Sequence, residues 1–218
     1  MSGSAGAAGE ARRGRLHRAR LYFVTDIHPR LEAVTAAALA GGVDMVQLRD
    51  KSAVDDELRE AAAELRGLCD EHEALLWLND RPGLALECGF DGVHVGQDDE
   101  PVEAVRAQVG PELLVGLSTH SPEQLERALG GEADQLSVGP VWETPTKEGR
   151  PAAGLGYVRH AAARAAGRAW FAIGGIDMDN VREVTEAGAE RIVVVRAIRD
   201  AADPRAAAAA LRAALPDV

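Results

Sequence analysis

From residue 21 onward, short apolar runs alternate with longer segments in which apolar residues recur every three to four positions, the two periods of buried strand and amphipathic helix. The apolar runs are LYFVT (21–25), MVQLR (45–49), LLWLN (75–79), GVHVG (92–96), LLVGL (113–117), QLSVG (135–139), WFAIG (170–174) and RIVVV (191–195). Helical patterns occupy 30–40, 54–72, 83–88, 101–108, 122–129, 157–166, 180–187 and 204–215. Ser121-Pro122 and Asp203-Pro204 read as an N-cap followed by a first-turn proline, and Gly41-Gly42, Gly110 and Gly188 fall where helices should stop. Eight strands, each followed by a helix, predict an α/β fold: a single (β/α)8 TIM barrel with functional residues at the C-terminal ends of its strands. The alternative, an open doubly wound sheet, more often carries a Gly-rich turn after its first strand, and here that turn is TDIHPR. ALAGGVDMVQL and TEAGAERIVVV echo each other as helix end, Gly-containing turn and acidic residue before a buried strand, which suggests a repeated αβ unit.

The first twenty residues break this rhythm. MSGSAGAAGEARRGRLHRAR is rich in Gly, Ala and Ser and then basic, without the apolar run of a signal peptide. The expectation is a disordered N-terminal extension, a flexible basic tail over 1–20, ahead of one barrel domain at 21–218; a transit peptide is the lesser alternative. A chain of 218 residues suits one such domain.

Charge narrows the function. At −11 the chain opposes nonspecific contact with nucleic acid or anionic lipid, so an anionic ligand must meet a local cluster of cations or a metal. No stretch approaches the roughly 20 apolar residues that span a bilayer. Cys69 and Cys88 lack metal-ligand spacing and read as reduced thiols of a cytoplasmic protein. The oligomeric state is not fixed by the sequence, and a homo-oligomer is allowed.

The strand ends carry the candidate chemistry. Gln47, Arg49 and Lys51 alternate at the end of strand 2 and, in extended chain, project to one side; Arg offers a planar fork for phosphate and Lys a compact charge. Asn79-Asp80 follows strand 3, and Gln97-Asp98-Asp99 follows strand 4. Strands about 4.8 Å apart bring Asp80 close to Asp98 or Asp99, a pair that suits Mg²⁺ held by one or two carboxylates and substrate phosphate oxygens. Asp80 has a second reading, as a cap on the helix beginning near Pro82. His94 reads as a hydrogen-bonded core residue, His120 as a weak candidate base, and Ser118 as a small donor for a phosphate or ring nitrogen. After strand 6, the long loop contains Thr144, Thr146 and Lys147; Lys51 and Lys147 are the only lysines in the chain. Gly174-Gly175 ends strand 7 and Val195-Arg196 ends strand 8, where this fold recurrently binds phosphate. Two anion-binding regions imply two phosphorylated substrates, or one with phosphate at both ends.

In order, LYFVTD, QLRDK, LND, DGVHVGQDD, GLSTHS, SVGPVWETPTK, AIGGI and AGAERIVVVRAI closely resemble the thiamine phosphate synthase family, from about Leu21 to the end. The resemblance implies a transferase that joins hydroxymethylpyrimidine diphosphate to hydroxyethylthiazole phosphate, releases pyrophosphate and uses Mg²⁺ as cofactor. It implies that Gln47, Arg49, Lys51, Ser118 and Lys147 contact the pyrimidine diphosphate, that Asn79 holds the pyrimidine, and that Asp80 and Asp99 ligate the metal. Thr144, Thr146, Gly175 and Val195-Arg196 would hold the thiazole phosphate. Many members carry Ser where this chain has Arg196, so a guanidinium or backbone N–H takes the place of a hydroxyl there.

Overall fold

The computed structural model describes residues 3–144 and 151–216. Eight parallel strands close into a barrel in sequence order: β1 Leu21–Thr25, β2 Met45–Leu48, β3 Leu75–Asn79, β4 Gly92–Val95, β5 Leu114–Thr119, β6 Gln135–Val138, β7 Ala169–Ile173 and β8 Ile192–Val194. Each overlaps one of the apolar runs read from the sequence. The described helices are α1 Gly3–Arg18, α2 Leu31–Ala40, α3 Asp55–Glu71, α4 Pro82–Glu87, α5 Val102–Val109, α6 Pro122–Leu129, α7 Gly154–Arg164, α8 Val181–Glu186, α9 Arg196–Arg199 and α10 Pro204–Ala213. The cap signals hold where the side chain can reach: Ser121 accepts from the Gln124 N–H and Asp203 from the Ala206 N–H, each with proline in the first turn. None of the described helices is long and apolar enough to cross a membrane.

Alternation along each strand sorts the core into two shells. Residues pointing outward pack under the helices, while Tyr22, Val24, Met45, Leu75, Trp77, Leu114, Ala169, Phe171 and Val193 fill the barrel interior. Trp77 occupies the centre because its neighbours yield space. A Cβ on Gly92 would stand 2.8 Å from its ring, and one on Gly116 would stand 2.9 Å from it. Tyr22 packs on Trp77 and Phe171 with ring centroids 6.1 and 5.7 Å apart.

The N-terminal residues depart from expectation. Within the tail read as disordered, Gly3–Arg18 form the helix α1, and its last turns close the N-terminal mouth of the barrel. Leu16 and Ala19 are buried in the interior cluster. Arg12 Nε and Arg15 Nη2 reach Asp91 Oδ1 at 3.0 and 3.1 Å, and Arg13 Nε reaches Asp134 Oδ1 at 2.9 Å. The partners lie 76 to 121 residues away in sequence, so no local pattern announces them. Asp44, Asp91 and Asp134 precede β2, β4 and β6 and accept the N–H of Leu21, Leu76 and Val115, stapling these three strands to the odd strand before each. Of these acidic positions, Asp44 belongs to the repeat read from the sequence.

Candidate functional site

The C-terminal ends of the strands enclose a cavity of about 360 Å³. Gln47, Arg49, Asn79, Ser118, Thr144, Gly175, Val195 and Arg196 all line it, so residues spread over nearly the whole barrel converge as the fold requires. Thr146 and Lys147 lie outside the described residues. Tyr22, Ser137, Asp177 and Asp200, which no motif marked, also line the cavity, as does His94, read as a core residue.

Beside the cavity, at the ends of β3 and β4, the predicted acidic pair forms. Burial, followed by the charge of Asp99, raises the Asp80 carboxyl above its ordinary value, while Lys51 and Arg49 pull it the other way. It is therefore Asp99, not Asp98, that faces Asp80. Lys51 Nζ lies 3.6 Å from Asp80 Oδ2, the Asn79 amide donates to that same oxygen at 2.7 Å, and the Gly96 N–H donates to Asp99 Oδ2 at 2.8 Å. Asp80 is not the cap of α4, because Arg81 holds that position. Asp80 and Arg81 both adopt left-handed backbone, φ 57° and 51°, which costs a non-glycine residue on the order of 1 kcal/mol or more. Surrounding bonds impose the turn: the Asp80 N–H donates to the His94 carbonyl at 2.8 Å, and Arg81 bonds Asp55 and the Ala53 carbonyl. The result aims Asp80 over the end of β4.

The cavity floor is polar and buried. Gln47, 3% exposed, donates through Nε2 to the Tyr22 hydroxyl at 2.5 Å. Burial pushes that Tyr22 phenol far above its ordinary value, so it stays protonated. His94 sits between Ser118 and Gln135, as a hydrogen-bonded layer residue should. His120 Nδ1 meets the Gly139 carbonyl at 2.6 Å, and Gln97 donates to the Ser118 carbonyl at 2.8 Å.

On the opposite side, Gly174 and Gly175 serve packing as well as the cavity. The chain leaving β6 crosses the end of β7, with the Val141 N–H donating to the Ile173 carbonyl at 2.8 Å and the Trp142 N–H to the Gly174 carbonyl at 3.1 Å. A Cβ on Gly174, whose φ is 109°, would fall 2.4 Å from the Pro140 Cβ. A side chain at 174 would force the β6 loop away from the cavity. Beyond β8, Val195 leads into the short helix α9, which the sequence did not reveal; Val195, Arg196 and Ala197 all border the cavity.

Comparison with known proteins agrees with this arrangement. The family model described as "Thiamine monophosphate synthase" matches residues 21–198. A thiamine-phosphate synthase of Saccharopolyspora erythraea is 53% identical over 214 residues, covering 93% of this chain and 96% of the relative. One from Thermus thermophilus is 55% identical over 202 residues, covering 88% and 95%. Among solved structures, a thiamine phosphate pyrophosphorylase from Pyrococcus furiosus superposes with a TM-score of 0.83 at 35% identity, covering 93% of this chain and 96% of that one. The barrel, the strand-end cavity and these relatives lead to one conclusion: the chain belongs to the thiamine monophosphate synthase family and is an enzyme of thiamine phosphate formation.

Proposed function

We propose that the substrates are 4-amino-5-hydroxymethyl-2-methylpyrimidine diphosphate and hydroxyethylthiazole phosphate, and that the reaction is a dissociative transfer assisted by Mg²⁺. The observation that carries this reading is the placement of Arg49 on the cavity wall, with Lys51 and the Asp80–Asp99 pair on the adjoining rim and Arg196 at the other end. Arg49 and Lys51 draw the diphosphate toward the rim. The thiazole phosphate lies against Gly175 and Val195-Arg196, where the chain turns into α9; barrels of this kind recurrently bind phosphate after strands 7 and 8. The C–O bond to diphosphate breaks with its electron pair leaving on oxygen, and the thiazole nitrogen supplies the pair that forms the new C–N bond to the pyrimidine methylene carbon. No side-chain nucleophile enters the balance. The chain's contribution is position and charge: cations lower the cost of departure, and the walls hold nitrogen and carbon in line.

The donor set fits Mg²⁺. Asp80 and Asp99 are drawn together despite like charge, and burial and their repulsion raise the Asp80 carboxyl, a cost that a bound divalent cation would relieve. Among the described residues, no group of three or more His, Cys, Asp or Glu side chains forms a fuller cage. Two carboxylates with the remaining positions left to water and phosphate oxygens is how Mg²⁺ is ordinarily held. When bound, the ion neutralises charge that builds on the departing diphosphate.

A pyrophosphate-release assay with both substrates, with and without Mg²⁺, tests the proposal. Release that needs both substrates and the metal is expected. Release without the thiazole phosphate, or none under any condition, would overturn it.

A further inference from the structure

Two arginines stand side by side under the N-terminal helix, at the end of the barrel opposite the cavity. The ladder runs on into them: the Ile192 N–H donates to the Arg20 carbonyl at 2.9 Å, and the Ala172 N–H to the Arg191 carbonyl at 3.0 Å. Leu21 pairs with Ile192, so Arg20 and Arg191 are neighbours, and each lies two residues before a member of the interior cluster, Tyr22 and Val193. Alternation therefore turns both side chains into the mouth that α1 covers with Leu16 and Ala19. Arg20 is 4% exposed and Arg191 8%. Arg191 Nη2 donates to the His17 carbonyl in the last turn of α1 at 3.0 Å, and its Nη1 lies 3.3 Å from Glu190 Oε2. Arg191 Nε and Arg20 Nη1 are buried without a hydrogen-bond partner. Asp44 accepts the backbone N–H groups of Arg20 and Leu21 and faces Arg212 Nε at 3.8 Å, and among the described residues no carboxylate pairs with the Arg20 guanidinium.

Such a pair is unfavourable for two reasons. A buried donor without an acceptor has lost its hydration, and a buried charge without a counter-charge is worse still. Burial, followed by the charge of Arg20, pulls Arg191 below the ordinary arginine range, and the half-exposed Glu190 opposes this only in part. A water molecule would accept both bonds but leave both charges uncompensated, whereas an anion supplies acceptor and charge together. We propose that Arg20 and Arg191 form a binding site for a halide ion such as chloride, held between Arg20 Nη1 and Arg191 Nε beneath α1. Two unpartnered nitrogens match a single-atom ion, while a phosphate would bring four oxygens that each need a donor. The bound ion joins the beginnings of β1 and β8 and, through the bond from Arg191 to the His17 carbonyl, secures the end of α1. It lies at the far end of the barrel from the strand-end cavity and takes no part in the reaction proposed above.

Thermal unfolding of the full chain in potassium chloride and in potassium glutamate of equal ionic strength tests the site, with Arg20→Met as the comparison. Once chloride exceeds its Kd about tenfold, exchanging glutamate for chloride should raise the melting temperature of wild type by about 3–6 °C relative to that of the variant. The general effect of either salt on protein surfaces cancels in that difference. Crystals of wild type grown in bromide locate the ion without any variant: an anomalous peak is expected in contact with Arg20 Nη1 and Arg191 Nε. Equal responses of wild type and Arg20→Met would overturn the site, because chloride acting at the cavity's cations would stabilise both alike. Bromide peaks elsewhere, with only water between the two arginines, would overturn it as well. Neither readout uses the substrates, so the outcome is independent of the proposed reaction.

Discussion

Asp91→Asn measures how far the N-terminal helix contributes to the barrel. The Asp91 carboxylate, 4% exposed, accepts from Arg12 Nε at 3.0 Å, Arg15 Nη2 at 3.1 Å, Arg66 Nη1 at 3.0 Å and the Leu76 N–H at 3.0 Å. Burial alone would raise its carboxyl; the Leu76 N–H, the Arg66 charge and the Arg12 and Arg66 bonds outweigh burial and hold it below the usual range. Asparagine keeps the shape and one acceptor but turns an amide toward three guanidinium groups. Breaking a buried charge pair costs about 3–5 kcal/mol. The three arginines here are 22, 29 and 23% exposed and water recovers part of their hydration, so the lower end, about 3 kcal/mol, is expected. For a chain of this size that corresponds to a melting temperature roughly 6–12 °C lower. Because the folded carboxyl lies below its unfolded value, its contribution is present above the ordinary aspartate pKa and is lost as pH falls through the folded one. Urea unfolding at neutral pH and at successively lower pH should therefore show wild type and variant converging in acid. Limited trypsin digestion should cut at the α1 arginines sooner in the variant. A melting temperature within about 2 °C of wild type, with α1 equally protected, would refute the view that this cluster fastens the helix to the barrel.

Asp99→Asn retains an acceptor for the Gly96 N–H and removes one of two opposed charges, so Mg²⁺-dependent turnover should drop at least about tenfold while the melting temperature holds steady or rises; calorimetry and the pyrophosphate assay decide it, and full turnover would remove Asp99 from the metal site. Gly92→Ala should cost about 1–3 kcal/mol, since its methyl would meet the Trp77 ring at 2.8 Å, whereas Gly67→Ala, inside α3 with nothing within 4 Å, should add about 0.5–1 kcal/mol of stability. Equal effects at the two glycines in denaturant titrations would contradict the packing described for the barrel centre.

The alternation of apolar runs and helical segments determined the fold class and the order of its elements, because strand and helix periodicity are local properties and eight such units admit few closed arrangements. It also named part of the cavity wall, since a barrel places functional residues at strand ends and Gln47, Arg49, Asn79, Ser118 and Gly175 stand there in sequence. Spacing brought Asp80 to Asp98 or Asp99 and the family resemblance pointed to Asp99; the fold sets Asp99 beside Asp80. The helix α1 was hidden because its residues are small and basic and its arginines find carboxylates only in the folded barrel. Nothing local marks Gly92 and Gly116; their need for a missing side chain comes from Trp77, which fills the space above them. The Ser118–His94–Gln135 chain was equally invisible, because its members come from three strands and only their register over Gly116 brings them within hydrogen-bond distance. Sequence thus determined which chemistry lies at the strand ends. Tertiary structure decided which groups touch, since contact between strands depends on register, on the absence of side chains at particular glycines, and on partners many residues away.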